Sequence, residues 1–231
     1  MTTPPKRTTI DPGLAAALAG QVQLPLGDLM RQTGVALRGA KRWILLGLLT
    51  WLSVALLTTL LGLVLGLSEV VAGSLSVVAT APVALWLTMF AVRRLAGVQT
   101  GARDLLAYRP ALGHAAVVLL LASLVLSGAE ALLGPLWSLP VALLYGLLTS
   151  QALFLSADRG VDAFTAVGWS VRACLPLLPA LLVLHVLLSA IVLLGALTLG
   201  IGLLWAAPFA VLALGAVSLR LFGTTAAAAR G

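Results

Sequence analysis

The chain has 231 residues, of which 61% are hydrophobic and only 9% charged, and its mean hydropathy is +1.13. A soluble core could not absorb so much Leu, Ala and Val without leaving apolar surface in water, whereas a bilayer is itself the apolar phase. The formal net charge of +7 does not read as a nucleic-acid footprint, because the basic residues sit beside apolar runs and form no aromatic-interleaved patch.

Backbone polar groups in lipid must be satisfied within a helix or a closed barrel, and long unbroken apolar runs choose helices over ten-residue alternation. The lone cysteine, Cys174, excludes an internal disulfide and argues against a thiol metal site. In chain order, residues 1–27 read as a cytoplasmic tail, disordered or loosely helical, with prolines at 4, 5 and 12. No secretory signal is expected, since the first apolar run begins only at about residue 43.

Asp28, following Gly27, reads as a helix N-cap. Beyond it Arg31, Arg38 and Arg42 share one helical face, while Leu29, Thr33, Leu37 and Ala40 share the other. Two arrangements fit this pattern equally: a helix lying on the bilayer surface with its arginines toward anionic headgroups, or a positively charged extension of the first membrane helix.

Six apolar spans follow, at about residues 43–67, 70–92, 111–133, 136–156, 173–199 and 203–222. Each approaches or exceeds the roughly twenty residues needed to cross a bilayer. Short turns at Ser68-Glu69, Gly134-Pro135 and residues 200–202 make each successive pair antiparallel. The expected fold is therefore all-α: a polytopic membrane domain over residues 28–224, with six transmembrane helices in three pseudo-repeated hairpins and short juxtamembrane cytoplasmic helices. Residues 225–231 form a second cytoplasmic tail.

With the N-terminus inside, all fourteen Lys and Arg fall on one side and the three outer turns carry none. The positive-inside rule then puts both termini in the cytoplasm. Aligning Asp28, Asp104 and Asp162 places Gly34, Pro110 and Gly168 six residues on, and Arg38, His114 and Arg172 ten residues on. Each unit would be an N-capped juxtamembrane helix, a break, a basic residue at headgroup level and a hairpin. Such repeats can place a site on a pseudo-symmetry axis, or can be duplicated hairpins with no site.

The run Leu153-Phe154-Leu155-Ser156-Ala157-Asp158-Arg159-Gly160, followed by Ala166 and Trp169-Ser170-Val171-Arg172, resembles a pattern in uncharacterised bacterial six-helix inner-membrane proteins. Leu199-Gly200-Ile201-Gly202-Leu203-Leu204, then Pro208 and Leu221-Phe222-Gly223, is similar to the close of the same families. A weaker likeness runs from Ala81-Pro82 to Gly101, Asp104 and Leu105-Leu106. These families are described as proline- and glycine-rich or of unknown function, and they are similar to the membrane part of some glycerophosphodiester phosphodiesterases. The resemblance spans about residues 82–223 and implies a fold and a bacterial inner-membrane setting. It brings no catalytic residues, and the soluble phosphodiesterase domain has no counterpart here.

Ionisable groups within spans are the usual pointers to chemistry, at about 2.5–3.5 kcal/mol each near mid-helix. His185 falls near the middle of the fifth span and Glu130 near the outer end of the third. Their depths differ by roughly 9 Å. A proton relay through His185 and Tyr145 competes with a neutral packing histidine. Pro82, near mid-membrane, marks a kink that could admit a ligand or partner helix, or one that is purely structural; Pro140, Pro176, Pro179 and Pro208 are read as kinks as well.

Gly62 and Gly66 form a small-xxx-small pair suited to close helix contact, and Gln151 and the serines and threonines of the spans can bridge helices. Trp43, Trp137 and Trp169 fit interfacial anchors; Trp51, Trp86 and Trp205 lie deeper and would fill packing gaps. Asp158-Arg159, with Asp162 and Arg172 nearby, is either a salt-bridged latch or a contact for lipid headgroups or a cytoplasmic partner.

No cofactor motif, metal-ligand cluster or nucleophile with an adjacent base is found. The expectation is a protein without catalytic activity that binds other membrane proteins or lipids, motivated by its Gly-, Ala- and Pro-rich helix faces and scarce buried ionisable groups, in a bilayer with anionic headgroups on the cytoplasmic side. The alternative is a small transporter with a midplane site near His185.

Overall fold

The computed structural model describes residues 12–98, 108–198 and 200–223. Eight α-helices occur in it: α1 Pro12–Leu18, α2 Leu26–Val64, α3 Glu69–Leu95, α4 Leu112–Thr149, α5 Ala152–Arg159, α6 Ala163–Cys174, α7 Leu178–Leu197 and α8 Leu203–Phe222. Among the described residues there is no strand. Five helical stretches are long and apolar enough to cross a membrane: Leu26–Val64, Glu69–Leu95, Tyr108–Arg159, Ala163–Leu197 and Leu203–Phe222. The threonine hydroxyls within them bond to carbonyls of their own helix, as at Thr50, Thr59, Thr88 and Thr149. That arrangement leaves a polar side chain satisfied where water is absent.

The stretch Tyr108–Arg159 contains a break. At Gly134 the backbone takes φ 76° and ψ 168°, a region essentially reserved for glycine. Pro135 then opens the next helical piece, its fixed φ suited to a first turn. Ala115 and Val118 from one end of α4 join the same apolar cluster as Leu147 from the other. A straight helix would hold Val118 and Leu147 about 43 Å apart.

Close approaches fix the neighbours. Along α2, Gly39 meets Arg94, Gly47 meets Trp86 and Leu87, and Gly62 meets Ala72 of α3, an antiparallel register. Gly215 of α8 lies on Ala91 and Val92 of α3, and Gly195 of α7 lies on Gly202 and Ala206. Burial is concentrated where Arg94, Arg159 and Arg220 end their helices, here termed the basic end. In α3 the buried residues all lie from Thr80 to Val92, and in α4 none lies between Val118 and Leu147. Away from the basic end the helices show bare apolar side chains, Val64 at 81% and Leu132 at 86% exposure. In water such a surface would aggregate; against lipid it needs no cover.

Several expectations are corrected. Asp28 is not an N-cap: α2 begins at Leu26 behind Pro25, and no side chain caps it. Proline's preset φ starts the helix early, which leaves Asp28 inside the first turn, where its charge still suits the helix dipole. The helix continues through Gly34 to Val64, so the extension reading of the Arg31–Arg38–Arg42 segment describes the backbone and the expected break is absent. Gly168 is likewise internal to α6, whose helix gives way only at the 3-10 turn Leu175–Leu177 around Pro176.

Gly66 is not a helix-packing partner of Gly62. It lies past the end of α2 with φ 64°, and the bonds Leu67 N–H to Gly62 O (2.9 Å) and Gly66 N–H to Leu63 O (3.2 Å) close a Schellman turn. Trp51 and Trp205 are 40% and 51% exposed instead of filling gaps, whereas Trp86 is buried against Phe90, with ring centroids 5.2 Å apart. α3 and α8 remain single helices through Pro82 and Pro208. The expected cap at Asp104 and the terminal tails at 1–11 and 225–231 lie outside the described residues.

Candidate functional site

The polar chemistry falls into three groups, the first two at the basic end. The first is built on the joint between α5 and α6. α5 ends at Gly160 in the left-handed conformation (φ 64°), and Asp162 then caps α6 as its sequence position suggests. The Asp162 carboxylate accepts from the Thr165 hydroxyl at 2.6 Å and from the Thr165 N–H at 3.0 Å. Those two bonds hold its pKa below the usual aspartate value, the hydroxyl contributing most.

Within the same group Arg159 Nε lies 3.4 Å from Asp158, and the two side chains are only 6% and 2% exposed. Arg159 Nη2 also donates to the Phe222 carbonyl at 2.6 Å. That carbonyl ends α8, where the last acceptors lack helical partners and a cation is favoured. Phe154 stacks on Phe222 at 6.1 Å, so α5 is fastened to the end of α8 by one charged and one aromatic contact. These two contacts are termed the latch below. Arg172 is exposed, and among the described residues no ion pair joins it to Asp158 or Asp162.

The second group is a buried hydroxyl–amide node. The break between α4 and α5 exposes the backbone at Gln151, whose N–H donates to Ser170 Oγ of α6 at 3.2 Å. Ser170 in turn donates to the Leu148 carbonyl at 2.7 Å. Ser218 of α8 donates to Gln151 Oε1 at 2.5 Å, and Gln151 Nε2 donates to Ser150 at 3.1 Å. Gln151, Ser170 and Ser218 are all nearly inaccessible. Three helices are thereby pinned at one level, Gln151 bridging as expected. Ser218 is one of the span serines read as able to bridge helices; Ser170, which lies outside the spans, was not anticipated. Gly215 and Ala216 beside Ser218 let helices approach closely enough for its hydroxyl to reach across.

The third group lies on α2. Arg31, Arg38 and Arg42 are exposed, while Leu29, Thr33 and Ala40 on the opposite face are buried. Arg31 meets Asp28 at 3.4 Å in an exposed pair, of the kind that holds little energy. Arg42 lies over Trp43 at 5.1 Å. Lys41, expected on the same side as Arg220, instead places its ammonium 3.3 Å over the ring of Trp205, in the first turn of α8 and away from Arg220, and ties α2 to α8. An open groove of about 630 Å³ runs between α2 and the end of α3, lined by Arg31, Gln32, Val35, Ala36, Arg94, Leu95 and Gly97.

The residues of the transport reading are spread over α3 (Pro82), α4 (Glu130, Tyr145) and α7 (His185). His185 Nδ1 lies 2.9 Å from the Leu181 carbonyl of its own helix. The carbonyl can only accept, so Nδ1 is the donor in this contact. Tyr145 and Pro82 are half-buried, and Glu130 is exposed. Among the described residues no hydrogen bond links His185, Tyr145 and Glu130.

No protein-family model matches the chain. No curated protein and no solved structure gives a match either.

Proposed function

We propose that this chain is a non-catalytic, six-span protein of a bacterial inner membrane that works by binding anionic lipid, or another membrane protein, at its basic end. The carrying observation is the α2 segment, whose apolar face is buried while Arg31, Arg38 and Arg42 stay exposed on the other side. Exposed arginines beside long apolar helices are attracted to anionic headgroups by about 1 kcal/mol each. The latch and the hydroxyl–amide node, by contrast, are used up in holding helices together. The transporter alternative has less support, since His185 is engaged with its own helix.

Six spans follow from dividing α4 at Gly134, and the positive-inside rule then assigns both termini and the basic end to the cytoplasm. Cysteine labelling tests this directly, because the only native thiol, Cys174, is fully buried. Glu69→Cys should react with a membrane-impermeant maleimide from outside intact cells. Phe164→Cys, at a position 70% exposed, should react only after the membrane is opened. Reversal of either result would sink the orientation.

The function itself is read from lipid retained through purification in mild detergent. Wild type should be enriched in anionic over zwitterionic phospholipid, and Arg31→Gln/Arg38→Gln/Arg42→Gln should lose most of that enrichment. Equal lipid profiles would refute the reading. Solute flux in proteoliposomes that disappears with His185→Ala would favour the carrier instead.

A further inference from the structure

We infer that the groove between α2 and the end of α3 is a specific site for a phosphate-bearing headgroup, with a phospholipid as its ligand. This deepens the proposed lipid binding and rests on it, but it assigns one pocket and adds Arg94 to Arg31. Arg31 and Gln32 of α2 and Arg94 of α3 line it, together with the apolar Val35, Ala36 and Leu95. Two guanidiniums and a carboxamide lining one groove supply charge-assisted donors to phosphate oxygens, with Arg31 held at Asp28 toward one end and Arg94 at Gly39 toward the other.

Arg94 has a built seat. Its guanidinium lies over Gly39, where a methyl group would collide with it. A helix surface without a side chain at that point lets the planar group rest on α2 beside the groove. The apolar lining continues the same logic. Val35 is 72% exposed, and Leu46 and Leu49 further along α2 are 53% and 59% exposed. A headgroup between the arginines could thus lay its acyl chains along α2, which a soluble phosphate cannot do. About 630 Å³ is ample for a glycerol phosphate unit. One group opposes the anion: Asp28, 3.4 Å from Arg31, competes for that guanidinium.

The test is titration of purified protein in detergent with phosphatidylglycerol, followed by native mass spectrometry. Phosphatidylcholine, glycerol phosphate and inorganic phosphate serve as comparison arms. Phosphatidylglycerol should fill one site, weakened about tenfold by Arg94→Gln or Arg31→Gln, since a charge-assisted pair is lost. Asp28→Asn should strengthen it, and Arg94→Lys should fall between wild type and Arg94→Gln. Gly39→Ala should weaken it as well, although no charge changes, by displacing the guanidinium at little cost to the fold.

If phosphatidylglycerol is retained equally by Arg94→Gln and Gly39→Ala but lost in Arg38→Gln/Arg42→Gln, the groove assignment is wrong while lipid binding stands. If wild type shows no preference for phosphatidylglycerol over phosphatidylcholine, both fall. Equal binding of glycerol phosphate or inorganic phosphate would overturn the lipid assignment.

Discussion

Arg159→Leu should destabilise the protein by about 3 kcal/mol or more, the range expected when one partner of a buried ion pair is removed. The Asp158 carboxylate is 2% exposed and Arg159 6%. Leucine would replace the aliphatic stem of Arg159 but withdraw the guanidinium that offsets the Asp158 charge. The same change removes the donor to the Phe222 carbonyl and so leaves the end of α8 with an acceptor less well satisfied, at about 1 kcal/mol.

Asp158→Asn/Arg159→Leu should recover more than half of the loss, because a neutral amide in that setting no longer needs a countercharge. Equilibrium unfolding in detergent of wild type, both single variants and the double variant gives the coupling energy. A single-variant cost below about 1 kcal/mol, as for an exposed pair, would mean that the pair is solvated and that the latch is not a fastening.

Much of the architecture was legible because lipid imposes long apolar helices, and such runs cannot hide in a sequence. Gly134-Pro135 announced its own turn through the special conformations of both residues. The Asp162 cap was legible for a similar reason: capping is local, and the acceptor reaches a donor three residues on. Asp28 offered the same local pattern and misled, because Pro25 starts the helix one turn sooner.

What stayed hidden was of two kinds. Ser218 bonds to Gln151 across 67 positions, and no spacing rule connects two such distant residues. The exposure of Trp51 and Trp205 was hidden for a different reason. In water an apolar face marks the core, but lipid is as apolar as the core, so composition alone does not say which face of a membrane helix meets protein. Glycines do say it, after the fact. Gly39, Gly47, Gly62, Gly195 and Gly215 each mark a line of helix contact, yet Gly128 and Gly146 look the same in sequence and face open space.

That difference supplies the sharpest test of the packing. A Cβ at Gly215 would stand 2.7 Å from Ala91 Cβ and 3.2 Å from both the Ala91 carbonyl carbon and the Val92 nitrogen. Backbone atoms cannot rotate aside, so relief requires α3 and α8 to move apart. Doing so would loosen the cluster of Trp86, Phe90, Ala91 and Leu212 that also holds Ala40 and Ile44 of α2. Gly215→Ala should therefore cost about 1–3 kcal/mol from overpacking alone, and Gly215→Leu should prevent a stable fold.

Gly128→Ala and Gly146→Ala, in helical positions with nothing within 4 Å, should be neutral or stabilising by up to about 1 kcal/mol through helix propensity. Thermal unfolding midpoints measured side by side in one detergent order the four variants. A Gly215→Leu protein melting with wild type would mean that α3 and α8 do not touch there, and the Gly128 and Gly146 controls exclude a general intolerance of added methyl groups as the explanation of a loss.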